Sequence, residues 1–258
     1  MAPKLAVQSL DKRFGDLEAL RQISFEAAAG TFVSIVGPSG CGKTTFLRIV
    51  AGLERATSGE VRIDGRVVSR PGSDRGFVFQ QDSLLPWRTV LTNTLIGPEL
   101  AGTSGKRERD RALQLLKLVG LNGFEHYFPR QLSGGMRQRV NLARALAVDP
   151  EILLMDEPFS ALDAQSREIM QTELLRIWEQ GRKTVLFVTH QIDEAVFLSD
   201  HVLVFARRPG RLQERIAVDL PRPRTLALKR MPEFVSYVDH IWKIVENDVR
   251  DSVLHENV

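Results

Sequence analysis

The chain has 258 residues, enough for one large domain or for a domain with a lobe and a tail. Apolar residues make up 43% and charged residues 26%, the balance of an ordinary globular protein, and no run of eighteen apolar residues offers a membrane span. A net charge of +3, from 35 basic and 32 acidic side chains, gives nucleic acid little to hold, and the single cysteine, Cys41, excludes an internal disulfide. The opening residues lack the apolar core of a secretory signal, so the chain is expected in the cytoplasm.

In chain order, the first buried run is "FVSIVG" at 32–37. It is followed by a glycine-rich stretch and a helical pattern at 45–53. "GFVFQ" (76–80), "EILLMDE" (151–157), "TVLFVTH" (184–190) and "HVLVFA" (201–206) are further short apolar runs. Continuous apolar runs of this length fit strands covered on both faces, as in a parallel sheet flanked by helices. Helical patterns at 107–119, 133–147 and 165–180 alternate with them, which predicts an α/β fold. Between about 80 and 150 only helical patterns occur, so this interval is expected to be an inserted helical lobe.

After residue 206, "RRPGRL" and "QERIAVDL" predict a closing hairpin, and "LPRPR" (220–224) breaks the chain because proline removes an amide donor. Phe234, Val235, Val238, Ile241, Trp242, Val245 and Val249 recur at helical spacing, predicting an amphipathic tail helix docked on its own domain. Arg207, Arg208, Arg222 and Arg224 form small basic clusters. No aromatics interleave with them to stack bases, so they read as solvated loop charges.

"GPSGCGKT" (37–44) fits G-x-x-x-x-G-K-[ST] between a strand and an apolar-faced helix. Gly37, Pro38, Ser39, Gly40, Cys41 and Gly42 would form an anion cradle in which the glycines let backbone amides turn inward, with Thr45 following in the helix. Lys43 would reach the terminal phosphates of ATP, and the Thr44 hydroxyl would ligate magnesium. Cys41 reads as a spacer whose amide matters. Asp156 ends a buried strand and suits the same magnesium ion. Glu157 is the candidate that polarises the attacking water, and His190, at the end of another strand, is the candidate donor to the γ-phosphate.

A second glycine-rich turn, "LSGGMRQRV" (132–140), opens a helix for which Ser133 is a good cap. Gly134 and Gly135 weaken that first turn by about 1 kcal/mol each relative to alanine. They offer bare amides at a positive helix end, and one nucleotide already has its loop. The turn is therefore expected to meet the nucleotide of a second copy of the chain.

With "LLMDEP", "SALD" (160–163) and "THQIDEA" (189–195), these motifs resemble the nucleotide-binding subunit of an ABC transporter over residues 1–220. The resemblance implies a P-loop NTPase core with a mostly parallel sheet, an N-terminal antiparallel β portion and a helical subdomain inserted at about 81–150, with 221–258 as a helical tail. It also implies an ATPase that uses Mg2+ and forms a head-to-tail homodimer. Ser133, Gly134 and Gly135 would then act in trans, and Asp163 would link the two sites. Gln80 would serve near the metal, and Phe14 would stack on adenine. Two departures stand out: Met136 where glutamine is commonest, and phenylalanine at 14 where tyrosine is frequent.

"LLPW" (84–87) lies where the family's lobe meets its permease, which makes Leu84, Leu85 and Trp87 candidate interface residues. With "DEAVFLSDHVLVFARRPGRL" and "LPRPR", it resembles the nitrate/sulfonate/taurine group of bacterial importers. That implies two permease subunits, an extracytoplasmic substrate-binding protein, a place on the cytoplasmic face of the membrane and no nucleic acid. Taurine or another sulfonate leads and nitrate comes next. The alternatives are a thiamine-precursor pyrimidine importer and a soluble ABC ATPase.

Overall fold

The computed structural model describes residues 2–81, 83–103 and 105–255, apart from the side chains of 247 and 249–255. The chain divides into two units, Met1–Gly72 with Arg182–Val258, and Ser73–Gly181. In the first, β1 (Leu5–Phe14) and β2 (Leu17–Ala27) form an antiparallel hairpin. β3 (Phe32–Val36) leads to α1 (Lys43–Ala51), and β4 (Ser58–Ile63) and β5 (Arg66–Val67) follow. Strands β2, β1, β4 and β5 lie side by side in that order as the antiparallel sheet that the family resemblance implied. Register shifts interrupt β1, and Ser9 and Gln22 have φ of 44° and 50°. The Asp11 carboxylate steadies this region, accepting from the Gln22 amide at 2.7 Å and the Ser58 hydroxyl at 2.7 Å.

The second unit contains β6 (Arg75–Val78), α2 (Val90–Thr94), α3 (Ile96–Leu100), α4 (Lys106–Leu118), α5 (Gly134–Ala147), β7 (Ile152–Asp156) and α6 (Ala164–Gly181). β6 and β7 pair in parallel, and α5 packs on α2, α4 and β6. The fit against β6 is close: a Cβ added at Gly76 would lie 2.6 Å from the Ala145 carbonyl oxygen.

The first unit resumes with β8 (Thr184–Val188), α7 (Ile192–Leu198), β9 (His201–Phe205), β10 (Leu212–Ala217) and α8 (Pro232–His255). Here β3 pairs in parallel with both β8 and β9, while β10 closes antiparallel to β9 as the predicted hairpin. Phe46 of α1 centres the core, 5.7 Å from Phe25 and 5.6 Å from Phe205 between ring centroids. On α8, Phe234 and Ile241 are buried, Val238 and Val245 are half-buried, and Val235 and Trp242 face outward. The Val249 side chain is outside the described residues.

The reading of Arg222 and Arg224 as solvated charges is corrected. Arg224 is 5% exposed. Its Nη1 donates to the carbonyls of Val196, Phe197 and Ser199 at 3.1, 3.1 and 2.8 Å, and its Nη2 to those of Val218 and Leu220 at 3.2 and 3.3 Å. Arg222 donates to Asp200 Oδ1 at 2.8 Å and to the Leu198 carbonyl at 2.9 Å. Both guanidinium groups satisfy carbonyls at and just beyond the C-terminal end of α7, which lack intrahelical partners and carry negative partial charge. Arg224→Met keeps much of the packing but strands several buried carbonyls, so urea unfolding is expected to show a loss of about 3 kcal/mol or more.

Candidate functional site

The phosphate-loop residues and His190 belong to the first unit. Gln80, Ser133, Gly134, Gly135, Asp156, Glu157 and Asp163 belong to the second. The loop runs from the end of β3 into α1, and bare backbone is obligatory at both of its ends. A Cβ on Gly37 would lie 2.4 Å from the Phe205 carbonyl oxygen; one on Gly42 would lie 2.6 Å from Leu20 Cδ2 and 2.9 Å from the Ala19 carbonyl oxygen. Gly42 caps α1 in the left-handed conformation without a side-chain hydrogen bond, which starts the helix at Lys43, two residues earlier than predicted. The helix therefore presents its positive end without a side chain across it, the arrangement that binds anions.

Lys43 is buried, and its ammonium donates to the carbonyls of Gly37 and Pro38 at 2.7 and 3.0 Å. Ser39 and Gly40 form the exposed crest, while Thr44 and Thr45 are half-buried in the first turn of α1. Cys41 is fully buried, and that burial pushes its thiol above the ordinary range, which suits a spacer and not a nucleophile. Phe14, at the end of β1, is 46% exposed and carries the Lys12 ammonium 4.4 Å from its ring centroid. His190 is exposed beyond β8, next to a buried Thr189.

In the second unit β7 delivers a buried Asp156, and Glu157 follows with φ of 44°. A left-handed glutamate before proline is uncommon and holds only where its surroundings fix it. Here the Ser160 amide and hydroxyl both donate to the Glu157 carbonyl, at 3.2 and 3.0 Å. The Gln80 Nε2 donates to Glu157 Oε2 at 3.3 Å, so these two candidates do meet.

Ser133 caps α5, its Oγ accepting from the Met136 amide at 3.3 Å. Gly134 and Gly135 have no left-handed φ, and Cβ atoms there would find only contacts of 3.8 and 3.5 Å. Neither conformation nor crowding among the described residues demands glycine at either place. Asp163 caps α6; the Ser166 amide donates to its Oδ1 at 2.9 Å and holds its carboxyl below the usual range. Asp163, Leu162 and the 133–135 turn line one recess of about 270 Å³.

Of the "LLPW" residues, Trp87 is 71% exposed and Leu85 half-buried, whereas Leu84 is 8% exposed. Leu84 therefore packs inward and is withdrawn from the interface candidates. Asn93 holds this turn: its Oδ1 accepts from the Leu85 amide at 2.8 Å, and its Nδ2 donates to the carbonyls of Leu85, Arg88 and Thr89. The sequence reading missed Asn93. It also missed three side chains of α5: Gln138, Asn141 and Arg144 donate to the carbonyls of Gln80, Phe79 and Ser83 at 3.0, 3.2 and 2.9 Å. Their three-residue spacing along one helix face was the available signal.

Comparison with known proteins gives the class. The family described as ABC transporter matches residues 20–160. An uncharacterised ABC transporter ATP-binding protein of Methanocaldococcus jannaschii is 51% identical, over 98% of this chain and 95% of its own length. A taurine import ATP-binding protein of Rhizobium johnstonii is 46% identical, over 91% of this chain and 92% of its own. A nitrate import ATP-binding protein of Synechocystis is 47% identical, over 88% of each. A dimeric ATP-binding cassette, solved in a post-hydrolysis state with ADP and phosphate, superposes with a TM-score of 0.73 at 35% identity, covering 84% of this chain and 100% of that one. The chain belongs to the ABC transporter family as an ATP-hydrolysing cassette.

One position outside the phosphate-loop motif bears on it. A Cβ on Gly210 would lie 2.0 Å from the Cys41 carbonyl oxygen, while the Gly210 amide is tied to the Ala19 carbonyl at 2.9 Å. Gly210→Ala must displace the phosphate loop, and a drop in ATP affinity of about tenfold or more is expected by equilibrium titration. Gly65→Asn, in an open turn where a Cβ meets nothing, is expected to leave affinity unchanged.

Proposed function

We propose that the chain is the ATP-hydrolysing subunit of an importer, working as a homodimer against two permease subunits at the cytoplasmic face of the cell membrane. A small anion would be delivered by an extracytoplasmic binding protein, with taurine or another sulfonate first and nitrate second; the names of two relatives support that pair. The observation that carries the dimeric mechanism is the 133–135 turn, where two glycines weaken a helix that has no internal need of them. In this reading the cassette extends to about residue 220, with the helical subdomain inserted at about 81–150 and 221–258 as a tail.

The roles follow from side-chain chemistry. The backbone amides of the 37–45 loop, Pro38 excepted, hold the phosphates, and Lys43 exchanges the carbonyls of Gly37 and Pro38 for phosphate oxygens. Phe14 stacks on adenine through its π-face. Ser133, Gly134 and Gly135 contact the partner's nucleotide, and Asp163, sharing their recess, links the two sites. Thr44, Asp156 and Gln80 are the candidate ligands of Mg2+. All offer hard oxygen donors, and Gln80 directs its nitrogen at Glu157, leaving its oxygen as the donor for a cation. The ion when bound neutralises charge on the phosphates. Glu157 orients and polarises the attacking water, and His190 donates to the γ-phosphate. Trp87, with Leu85, is the exposed anchor for the permease.

Glu157→Gln is expected to keep ATP binding, lower hydrolysis roughly a hundredfold or more and leave a long-lived dimer by size-exclusion chromatography. Unchanged turnover would remove Glu157 from this role. Ser133→Ala costs the helix cap about 1 kcal/mol and is expected to lower turnover while the isolated chain still binds ATP; a collapse of ATP affinity in the monomer speaks against contact in trans. The importer assignment itself is tested by recovering Glu157→Gln with ATP from native membranes. A multi-spanning permease is the expected partner, and a ribosomal or DNA-bound partner with no membrane protein would replace this reading with a soluble ATPase.

A further inference from the structure

Between β8 and α7 the chain has only Thr189, His190 and Gln191 in which to turn, and His190 is the exposed member. Thr189 is anchored on three sides. Its amide donates to the Ile35 carbonyl of β3 at 3.2 Å, two residues before the phosphate loop. Its hydroxyl accepts from the Gln191 amide at 3.0 Å and donates to Oε2 of Glu194. Glu194 is 3% exposed, in the first turn of α7. A carboxylate so far from water persists where hydrogen bonds and the positive end of a helix compensate for its lost hydration. The other end of α7 is held by the Arg224 guanidinium at the carbonyls of Val196, Phe197 and Ser199.

One hydroxyl thus fixes the backbone on both sides of His190, and the acceptor that orients this hydroxyl is a buried acid on a helix clamped at its far end. Nothing in the chemistry assigned above uses Glu194. We propose that Glu194 is a positioning residue for His190 in ATP hydrolysis, acting through Thr189. This rests on reading His190 as the donor to the γ-phosphate. A ring on an exposed, otherwise free loop must be ordered anew each time it meets a phosphate, whereas a ring on a braced loop meets it already aligned. The effect belongs in the chemical step, not in nucleotide binding.

The test compares ATP hydrolysis by full-length Glu194→Leu, Glu194→Gln, His190→Ala and the double variant Glu194→Leu/His190→Ala, with thermal unfolding of each followed in parallel. His190→Ala is expected to lower kcat. Glu194→Leu is expected to lower kcat about tenfold with KM for ATP within about twofold of the parent. Glu194→Gln, whose carbonyl oxygen still accepts from Thr189, is expected to recover most of the rate. The double variant is expected to be no slower than His190→Ala alone, because Glu194 has nothing left to position.

Additive losses in the double variant give Glu194 a role independent of His190 and overturn the proposal. Equal losses in the Leu and Gln variants, or a raised KM at unchanged kcat, overturn it as well. Should Glu194→Leu fail to fold, Thr189→Val removes the same hydrogen bond from the other side, and the same comparison with His190→Ala applies. If His190→Ala leaves kcat untouched, the reading of His190 fails and this proposal falls with it. A slow His190→Ala beside an unaffected Glu194→Leu overturns the positioning role alone.

Discussion

The phosphate loop is held where two pieces of backbone approach too closely for any side chain. Phe205 presses its carbonyl on Gly37, Ala19 and Leu20 press on Gly42, and Gly210 lies against the Cys41 carbonyl. These contacts come from β2, β9 and the turn beyond β9, so the antiparallel hairpin and the parallel strands brace the same loop. The motif's glycines answer to this crowding as well as to the need for inward amides. Phe46 of α1 packs on Phe25 of β2 and on Phe205 of β9, joining the helix that follows the loop to two of the strands that brace it.

In the second unit the organising element is α5. Its glycine-containing first turn shares a recess with Asp163, and its later turns grip the backbone at Phe79, Gln80 and Ser83. Gln138 and Asn141 are almost wholly buried, and buried amides of this kind tolerate few alternative arrangements because a lost partner is costly in a low-dielectric interior. Asn93 extends the same logic, binding both ends of the turn that presents Trp87. Polar side chains thus fix the backbone from which the exposed Trp87 stands.

Much of this was legible in the sequence because parallel strands advertise themselves. All five continuous apolar runs fall on β3, β6, β7, β8 and β9. The N-terminal sheet gave no such pattern. Its register shifts, with Ser9 and Gln22 in left-handed conformations, break the alternation on which a strand reading depends, and only the family resemblance supplied it. Helix α7 was too short to show a period. Arg222 and Arg224 looked like surface charge because their acceptors, backbone carbonyls and the Asp200 carboxylate, lie up to 28 residues away, which local composition cannot reveal. Leu84 and Trp87, three residues apart in an aperiodic turn, carried no sign of which faced inward. The site motifs were readable because fixed spacings encode them. Of their supports, Ser160, Asn93 and Glu194 act on partners three to eight residues away but belong to no fixed spacing, and Gly210 follows from tertiary geometry alone.

The cap at Ser133 bears on a residue that looked anomalous. The serine oxygen accepts from the amide of Met136, and a hydroxyl that accepts through a lone pair keeps its hydrogen to give away. Capping α5 and donating to an anion are then compatible uses of one side chain. What position 136 contributes to the cap is an N–H that any residue but proline supplies. Methionine in place of glutamine alters what hangs from the helix there and leaves the hydrogen-bonded turn the same.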